Sequence, residues 1–428
     1  MFTGDYREQP WWWQRTPPPV RTEQPLPERA EVLVVGAGYT GLHAAIQTAR
    51  GGRNTVVVDA EHAGWGASSR NGGQISRSVK PGFESLSQRY GRETAIAIHR
   101  EGENSINYTE DFISREGISC DFGRVGRFHA AHNPAQFRKL AQRVENPVPG
   151  LEDGSYIIPK SEQHAELGTD IYCGGAVSPN NASLDPAAYH RGVLTTALAA
   201  EVKIISHCPA LDIRRDAAGF TVKTAKGLIQ ANRVVIATNG YTGALTPWHR
   251  RRVIPIGSYI IATEPLEKAV MDRLMPTDRV ISDTRKVIYY YRPSPDRRRI
   301  IFGGRVSIAE TNPRLSAPRL HKSLAAIFPE LAEVKISHSW MGFVAYTFDS
   351  LMHIGEDDGL HYAMGYCGSG VGISGYLGMR TGQQVLGLKE GRTAFDNLPF
   401  RTRPLYTGKP WFLAPSLLYY KLMDSLNI

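Results

Sequence analysis

The feature that most constrains this chain is a glycine-rich turn between two short apolar segments near its start. The first segment, Val32 to Val35, is typical of a strand buried on both faces. The turn that follows reads G-A-G-Y-T-G, and the residues after it predict a helix that ends at Gly51 and Gly52. A second apolar segment, Thr55 to Val58, completes a β-α-β unit. Such a unit predicts an α/β fold with a parallel sheet.

The glycines of this turn have separate roles in binding a dinucleotide. Gly36 permits the tight turn, Gly38 lets backbone approach a pyrophosphate, and Gly41 lets the helix pack close to the strand. The pyrophosphate lies at the helix N-terminus, where free N–H groups and the helix dipole favour an anion. Asp59 follows at about the ~20-residue spacing at which an acid accepts a hydrogen bond from a ribose hydroxyl and disfavours a 2′-phosphate. The unit therefore predicts a dinucleotide other than NADP, without deciding which.

Length and composition limit the remaining possibilities. The chain of 428 residues, 42% of them hydrophobic, is long enough for two or three domains with sizeable cores. No segment approaches the ~18 apolar residues of a membrane helix, and no signal-peptide core precedes the turn, so we expect a cytoplasmic protein without a membrane partner. Its four cysteines are too far apart for a C-x-x-C pair and predict reduced thiols. No motif has metal-ligand spacing, so no metal is expected.

The formal net charge of +9 is spread along the chain. Its densest runs are Arg250 to Arg252 and Arg297 to Arg299. We interpret these runs as solvated loops. An anionic substrate and a nucleic-acid partner are the alternatives.

Residues 1–30 form a proline-rich arm that contains Trp11, Trp12 and Trp13. Three adjacent tryptophans on a free tail favour aggregation, so we predict that the arm packs on the body of the protein or on a partner. A polyproline II ligand for a recognition domain is the alternative.

Later segments indicate a large cofactor and a second sheet. Val234 to Ala237 is a further buried strand, and ligands of open α/β sheets lie beyond the carboxyl ends of such strands. The strand Leu360 to Met364 leads into a second glycine-rich turn that opens a helix, which suits a bulky cofactor bound along its whole length. Between these two strands, residues 253–306 are rich in β-formers and predict an antiparallel sheet in a second domain.

Several motifs in this order resemble the FAD-dependent D-amino-acid-oxidase-like family, and within it the γ-glutamylputrescine oxidoreductase subgroup. They read V-V-G-A-G-Y-T-G-L, G-A-S-S-R-N-G-G-Q, A-T-N-G-Y, Y-Y-Y-R-P-S-P-D, W-M-G and G-Y-C-G-S-G-V-G. The tail from Lys409 to Asp424 also resembles that subgroup. The resemblance covers nearly the whole chain.

The resemblance implies a Rossmann-like FAD-binding domain of the glutathione-reductase type, with an inserted antiparallel β-sheet as the substrate domain. It places the FAD-binding domain in residues 31–95, 150–245 and 335–395. The substrate domain is placed in residues 96–149 and 246–334. The N-terminal arm covers residues 1–30, and a C-terminal tail of residues 396–428 packs on the body.

The resemblance also implies which residues bind each ligand. The cofactor-binding positions are Gly36, Gly38, Tyr39, Thr40, Gly41, Asp59, Ala60, Ser68, Ser69, Arg70, Asn71, Gly72, Gly73, Gln74, Pro209, Ala210, Thr238, Asn239, Gly368, Gly370 and Val371. Aromatic side chains exclude water and hold a cation by the ring face. The candidates for substrate contact are Tyr259, Tyr290, Trp340 and Tyr346. Arg77 and Arg292 are either carboxylate anchors or structural residues.

The activity implied is oxidation of the C–N bond of a small amine or amino acid by hydride transfer to flavin N5, giving an imine or aldehyde. If oxygen is the electron acceptor, hydrogen peroxide also forms. The first loop has no histidine, and Gly342 stands at the position of a flavin-tethering cysteine, so we expect non-covalent FAD. Ile301 stands where some oxidases have a lysine, which leaves oxygen or another acceptor open.

The alternatives are a flavoenzyme for a modified tRNA base and a non-catalytic nucleotide-binding subunit that docks through the tryptophan arm. The absence of a nucleic-acid-binding module argues against the first, so no nucleic-acid partner is expected. The oligomeric state stays open.

Overall fold

A computed structural model describes residues 1–20, 24–304 and 312–425 of the chain. Its strands are β1 (Phe2–Arg7), β2 (Arg29–Val35), β3 (Thr55–Val58), β4 (Gln74–Ile75), β5 (Arg127–Ala130), β6 (Tyr156–Ile158), β7 (Gly175–Ser178), β8 (Ala182–Ser183), β9 (Lys203–Ile205), β10 (Ala210–Asp216), β11 (Gly219–Thr224), β12 (Gly227–Ile236), β13 (Ile254–Thr263), β14 (Val280–Asp283), β15 (Tyr289–Pro293), β16 (Ile300–Gly304), β17 (Ile336–Tyr346), β18 (His353–Asp357) and β19 (Leu360–Met364). Its helices are α1 (Trp12–Arg15), α2 (Tyr39–Arg50), α3 (Phe83–Tyr90), α4 (Arg92–Arg115), α5 (Pro134–Glu145), α6 (Pro186–Ala199), α7 (Pro247–Arg250), α8 (Lys268–Leu274), α9 (Pro313–Ile327), α10 (Gly370–Val385) and α11 (Leu413–Ser425).

The glycine-rich turn belongs to an eight-stranded sheet. Its strands follow the order β10-β11-β12-β2-β3-β9, and β19 joins the end of β12 in parallel and pairs with β18. Strands β12, β2, β3 and β9 are mutually parallel, with Val35 opposite Val58 on one side and opposite Ile236 on the other. Alternate residues of β2 enter two different hydrophobic clusters, one on each face. The predicted buried strand and parallel sheet are therefore confirmed.

A second sheet of nine strands follows the order β1-β17-β13-β16-β15-β14-β5-β7-β6. Most of its pairs are antiparallel, including β13 with β17 and β15 with β16. Helix α9 covers one face, where Leu320 and Leu324 pack against Phe302 and Tyr291. This confirms the antiparallel sheet predicted for residues 253–306 over the part that the structure describes; residues 305 and 306 lie outside it.

The segments of the chain that form each sheet differ from the predicted domain segments. Strands β6, β7 and β17 fall in segments assigned to FAD binding, but they pair within the nine-stranded sheet. Most of α4 falls in a segment assigned to the substrate domain, but it packs against α10. Long-range strand pairing decides to which sheet a segment belongs, and β17 pairs with β13 along almost its whole length. The division into domains itself stays a prediction, and residues 305–311 of it lie outside the described residues.

The N-terminal arm packs on the body, as predicted. Its first strand, β1, extends the nine-stranded sheet beside β17. Trp11 and Trp12 are buried in one cluster with Ile260, Ile301 and Trp340. Two of the three tryptophans are therefore buried within the protein. Docking to another subunit would require their side chains at the surface.

Parts of the two arginine runs have structural contacts. The guanidinium of Arg252 lies 3.6 Å from the centre of the Trp248 ring, and its Nε–H donates to Phe400 O at 2.9 Å. Arg299 donates to Ser337 Oγ at 2.8 Å, and Arg297 pairs with Asp278. These side chains bind the protein itself rather than forming a continuous basic surface.

Among the described residues, no helix is both long and apolar enough to cross a membrane. Within the same residues, no group of three or more His, Cys, Asp or Glu side chains is arranged to hold a metal ion. The four cysteines are free thiols.

Buried histidines make stability depend on pH. Burial lowers the pKa of His190 to about 4, and its Nε2 lies 2.8 Å from Ala37 O. A histidine in the unfolded chain has a pKa near ~6.5 and binds the proton first, so we expect stability to fall as pH drops from about 6.5 toward 4. His190→Gln keeps an N–H donor and should reduce this loss by about 1.4 kcal/mol for each pH unit. Urea unfolding at pH 7 and pH 5.5 measures the effect.

The exposed His164 provides the matched control. His164→Gln should retain the full pH dependence of the unfolding free energy. An unchanged pH dependence in His190→Gln would show that the native state tolerates the charge at this position.

Candidate active site

A cavity of about 510 Å³ opens beyond the carboxyl ends of β2, β3 and β12. Its size is in the range of ligand pockets. Predicted cofactor-binding residues that line it are Gly36, Gly38, Tyr39, Thr40, Asp59, Ala60, Ser68, Asn71, Pro209, Ala210, Thr238, Asn239, Gly368, Gly370 and Val371. Predicted residues outside this lining are Gly41, Ser69, Arg70, Gly72, Gly73 and Gln74. Segments far apart in sequence are thus brought around one space.

The glycine-rich turn has backbone where side chains would not fit. Gly36 has φ +112°, and a Cβ there would lie 2.9 Å from Ala237 O. A Cβ on Gly41 would lie 1.8 Å from Gly36 O, so the helix can approach the turn only with glycine here. Helix α2 begins after Gly38, which has no side chain to cap it, and Tyr39 N–H donates to Ser68 Oγ at 3.0 Å. Its N–H groups and dipole therefore suit a pyrophosphate at this point.

Asp59 lies at the end of β3 and lines the same cavity. Its Oδ2 accepts from Ala37 N–H at 2.7 Å, and its Oδ1 accepts from Glu61 N–H at 2.9 Å. Burial raises the pKa of Asp59, while these two N–H donors oppose the shift. Because each carboxylate oxygen has more than one lone pair, Asp59 can accept a ribose hydroxyl in addition.

Three tryptophans donate hydrogen bonds to residues 69–71, two of them to backbone carbonyls and one to the Ser69 hydroxyl. The bonds are Trp13 Nε1–H to Ser69 Oγ at 2.9 Å, Trp340 Nε1–H to Arg70 O at 2.6 Å and Trp12 Nε1–H to Asn71 O at 2.9 Å. Two come from the N-terminal arm and one from β17. No sequence motif indicates these contacts, which hold a loop that borders the cavity.

A second glycine-rich helix N-terminus closes the cavity from the other side. Gly365 N–H donates to Asn239 Oδ1 at 2.9 Å, which ties the turn before α10 to the end of β12. Thr40 Oγ1 lies 2.6 Å from Tyr366 Oη, which ties that turn to α2. Sequence reasoning missed the cavity-lining side chains of Trp65, Tyr241, Phe343 and Tyr366. Their only signal was their place beside the glycine-rich motifs.

The structure separates the four aromatic candidates into two pairs. Tyr290 and Tyr346 are half-buried, and the Tyr346 hydroxyl lies 3.6 Å from the position of a Cβ on Gly368. Tyr259 and Trp340 are each only 1% exposed. Tyr259 packs in the hydrophobic core under α9, and the indole N–H of Trp340 is bonded to backbone. Tyr259 and Trp340 thus present almost no surface in this structure, and their role in substrate contact stays a prediction.

The two arginines considered as carboxylate anchors bind the protein itself. Arg292 donates to Gly73 O at 3.2 Å and to Leu184 O at 2.9 Å. Arg77 donates to Leu151 O at 3.3 Å. Arg77 Nε also lies 3.9 Å from Asp153 Oδ2, so both guanidinium groups have structural contacts.

Comparisons with known proteins agree with this geometry. A family model described as FAD dependent oxidoreductase (DAO) matches residues 31–384. The chain is 31% identical to the gamma-glutamylputrescine oxidoreductase of Escherichia coli K12, over 93% of each protein. It is 30% identical to a probable oxidoreductase, OrdL, of Haemophilus influenzae, over 93% of this chain and 92% of the relative. The structure of glycine oxidase from Geobacillus kaustophilus superposes with a TM-score of 0.73 at 20% identity, covering 88% of this chain and 99% of the other.

The residues around the cavity fit FAD. Glycine backbone at the start of α2 leaves room for a pyrophosphate, and Asp59 lines the same cavity, where it could accept a ribose hydroxyl. The turn before α10 supplies a second set of backbone N–H groups for the flavin end.

We expect Gly38→Val to abolish FAD binding. A branched side chain would occupy the space through which the pyrophosphate approaches backbone, and its Cβ alone would lie 2.9 Å from Ser68 Oγ. Flavin absorbance relative to protein absorbance in the purified variant measures occupancy. Gly4→Val is the control, because no atom lies within 4 Å of a Cβ at this exposed strand position. Wild-type occupancy in Gly38→Val would contradict the assignment of this turn.

We expect Trp12→Phe to weaken FAD binding by about 10-fold, since it removes one donor to the loop and leaves the Asn71 carbonyl unpaired. Fluorescence titration of the apoprotein with FAD gives the dissociation constant. Trp411→Phe changes a tryptophan that is 67% exposed and should leave that constant unchanged. Equal constants for Trp12→Phe and wild type would mean that the arm does not support the cofactor loop.

Proposed function

The chain belongs to the DAO family of FAD-dependent oxidoreductases, and we propose that it oxidises a primary or secondary aliphatic amine that carries a remote carboxylate. The observation that carries this proposal is a pair of half-buried tyrosines at the two glycine-rich loops, Tyr346 beside Gly368 at one end of the cavity and Tyr290 beside Gly72. The similarity to an enzyme named for γ-glutamylputrescine supports an amine substrate. The product would be an imine, which water hydrolyses to an aldehyde or keto compound.

FAD, when bound, supplies the acceptor for the hydride that leaves the carbon next to nitrogen. The role of the protein is to bind the amine, to orient it and to exclude water. We assign the orienting contacts to Tyr290 and Tyr346 and cofactor binding to the residues around the cavity. The absence of a tethering cysteine at Gly342 supports non-covalent attachment.

Both tyrosines are suited to this task because they stay neutral. Burial raises the pKa of Tyr290 to about 12, although Ser258 Oγ lies 2.8 Å from its hydroxyl and opposes the shift. Burial also raises the pKa of Tyr346, with a smaller contribution from Cys367. A neutral ring attracts an ammonium group by its face, and a neutral hydroxyl can donate to the nitrogen lone pair or accept from the N–H.

The contacts of the two tyrosines with the glycine-rich loops support the proposed arrangement. Tyr290 lies on β15, and its ring lies 3.1 Å from the position of a Cβ on Gly72. Tyr346 ends β17 and approaches Gly368. The two rings therefore connect both glycine-rich loops with the nine-stranded sheet, where a substrate would lie between sheet and cofactor.

The expected outcome is that ω-amino acids or N-alkyl amino acids bleach the flavin of the purified protein under anaerobic conditions. Alcohols and α-hydroxy acids should not, because they lack the nitrogen lone pair that stabilises the cation left by hydride loss. Tyr290→Phe should slow reduction by about 3- to 10-fold through the loss of one hydrogen bond, with an intact flavin spectrum. Tyr419→Phe, at a tyrosine 57% exposed on α11, is the matched control.

Reduction by α-hydroxy acids and by no amine would disprove the amine substrate. It would leave the family and the cofactor in place.

A further inference from the structure

Lys80 lies beside Gly368 at one end of the cavity and has no acidic partner among the residues that the structure describes. Its Cε is 3.8 Å from the position of a Cβ on Gly368, and its Nζ lies 6.0 Å from the centre of the Tyr346 ring. The side chain is exposed to water, yet desolvation lowers its pKa. Because Gly368 lines the cavity, the Lys80 side chain lies at the edge of that space. No carboxylate of residues 1–20, 24–304 or 312–425 forms an ion pair with it.

Arg127, on β5, is a second cation with unused donors. Its guanidinium donates from Nη1 to Ser76 Oγ at 3.3 Å, while its Nε is buried without a hydrogen-bond partner among the described residues. Burial lowers the pKa of Arg127 to about 10, and Arg143 acts in the same direction. A buried donor of this kind costs free energy unless a ligand satisfies it.

The two cations are connected by one short segment. Ser76 Oγ–H donates to Ser78 Oγ at 2.7 Å, and Ser78 O accepts from Ser369 Oγ–H at 2.9 Å. Residues 76–80 therefore run from Arg127 to the turn before α10. The positions of Lys80 and Arg127 are fixed relative to that turn.

The surroundings of the two cations contain little negative charge. His129, which follows Arg127 on the same face of β5, has its pKa lowered to about 3 by burial and by Arg127, Arg143 and Lys80, so it is neutral. Asp153 is the acid that acts on Arg127, and its effect is smaller than those of burial and Arg143. The space beside Gly368 therefore has a positive potential that favours an anion.

We propose that Lys80 and Arg127 form the subsite for the carboxylate of the amine substrate. This inference rests on the proposed function, whose substrate carries such a group. A carboxylate there would accept hydrogen bonds from the free donors of Arg127. It would also lie near the ammonium of Lys80, with charge-assisted hydrogen bonds on both sides. The rest of the substrate would then extend along Tyr346 and Gly368. Arg77 and Arg292 differ from these two cations, since Arg77 lies 3.9 Å from the Asp153 carboxylate and Arg292 donates to the backbone carbonyls of Gly73 and Leu184.

Binding of a non-reacting carboxylate tests the subsite without turnover. Butyrate is titrated into the full FAD-loaded protein and followed by calorimetry and by the shift of the flavin spectrum. We expect Lys80→Met and Arg127→Met each to weaken butyrate binding by about 10- to 100-fold, the range for hydrogen bonds between charged groups. Lys322→Met, at an exposed lysine on α9, should bind butyrate like wild type. Equal butyrate affinity in Lys80→Met and wild type overturns the proposal.

Two substrates that differ only in the carboxylate distinguish a loss of charge recognition from a general loss of activity. The best amino-acid substrate and its primary amide are compared in anaerobic flavin reduction. Both methionine variants should lose about 10- to 100-fold in efficiency with the carboxylate and stay within about twofold with the amide. Equal losses with both compounds would assign a structural role and overturn the subsite. If Arg127→Met does not fold, Arg127→Lys, which keeps a charge but loses the fork, should show the same selective loss in smaller measure.

The remaining outcomes separate the subsite from the proposed function. If no amine reduces the wild-type flavin, the proposed function fails while the butyrate titration still decides the subsite. If Lys80→Met keeps the preference for carboxylate over amide but slows reoxidation by oxygen, Lys80 serves the acceptor reaction and the subsite proposal is wrong.

Discussion

Close contact between helices α2 and α10 is the interaction on which the rest of the site depends. A Cβ on Gly378 would lie 2.3 Å from Thr40 O, and one on Gly382 would lie 2.8 Å from Ala44 O. Only glycine allows α10 to approach the backbone of α2 at these two positions. Because both helices begin at glycine-rich turns, this packing brings two sets of N–H groups to one cavity. A long dinucleotide can then be held at both ends.

The second constraint is the loop between β3 and β4, which has few apolar side chains of its own. Tryptophans from the N-terminal arm and from β17 donate to residues 69–71, and Arg292 binds the carbonyl of Gly73. The loop is therefore shaped by groups from both ends of the chain and from the nine-stranded sheet. This explains why the arm, although it lies outside the residues matched by the family model, is part of the cofactor region.

The cationic side chains around the site differ in the groups that they contact. Arg292 and Arg77 donate to backbone carbonyls, and Arg70 lies 4.5 Å from the centre of the Trp65 ring. Lys80 and Arg127 differ because, within the part of the chain that the structure describes, Lys80 has no acidic partner and Arg127 Nε has no hydrogen-bond partner. The overall positive charge of the chain therefore carries little information about substrate, whereas the partners of individual cations carry much.

The sequence by itself determined the β-α-β unit, the prediction of a bound dinucleotide and the antiparallel second sheet. These follow from local rules: strand periodicity, the sterics of glycine between Gly36 and Gly41, and the spacing to Asp59. Only the tertiary structure decided the pairing of β17, the burial of Tyr259 and Trp340, and the meeting of Lys80 with Gly368. Those outcomes depend on contacts between residues far apart in the chain. No local pattern encodes such contacts, because the same tyrosine or lysine fits a core, a surface or a pocket until the sheet register places it.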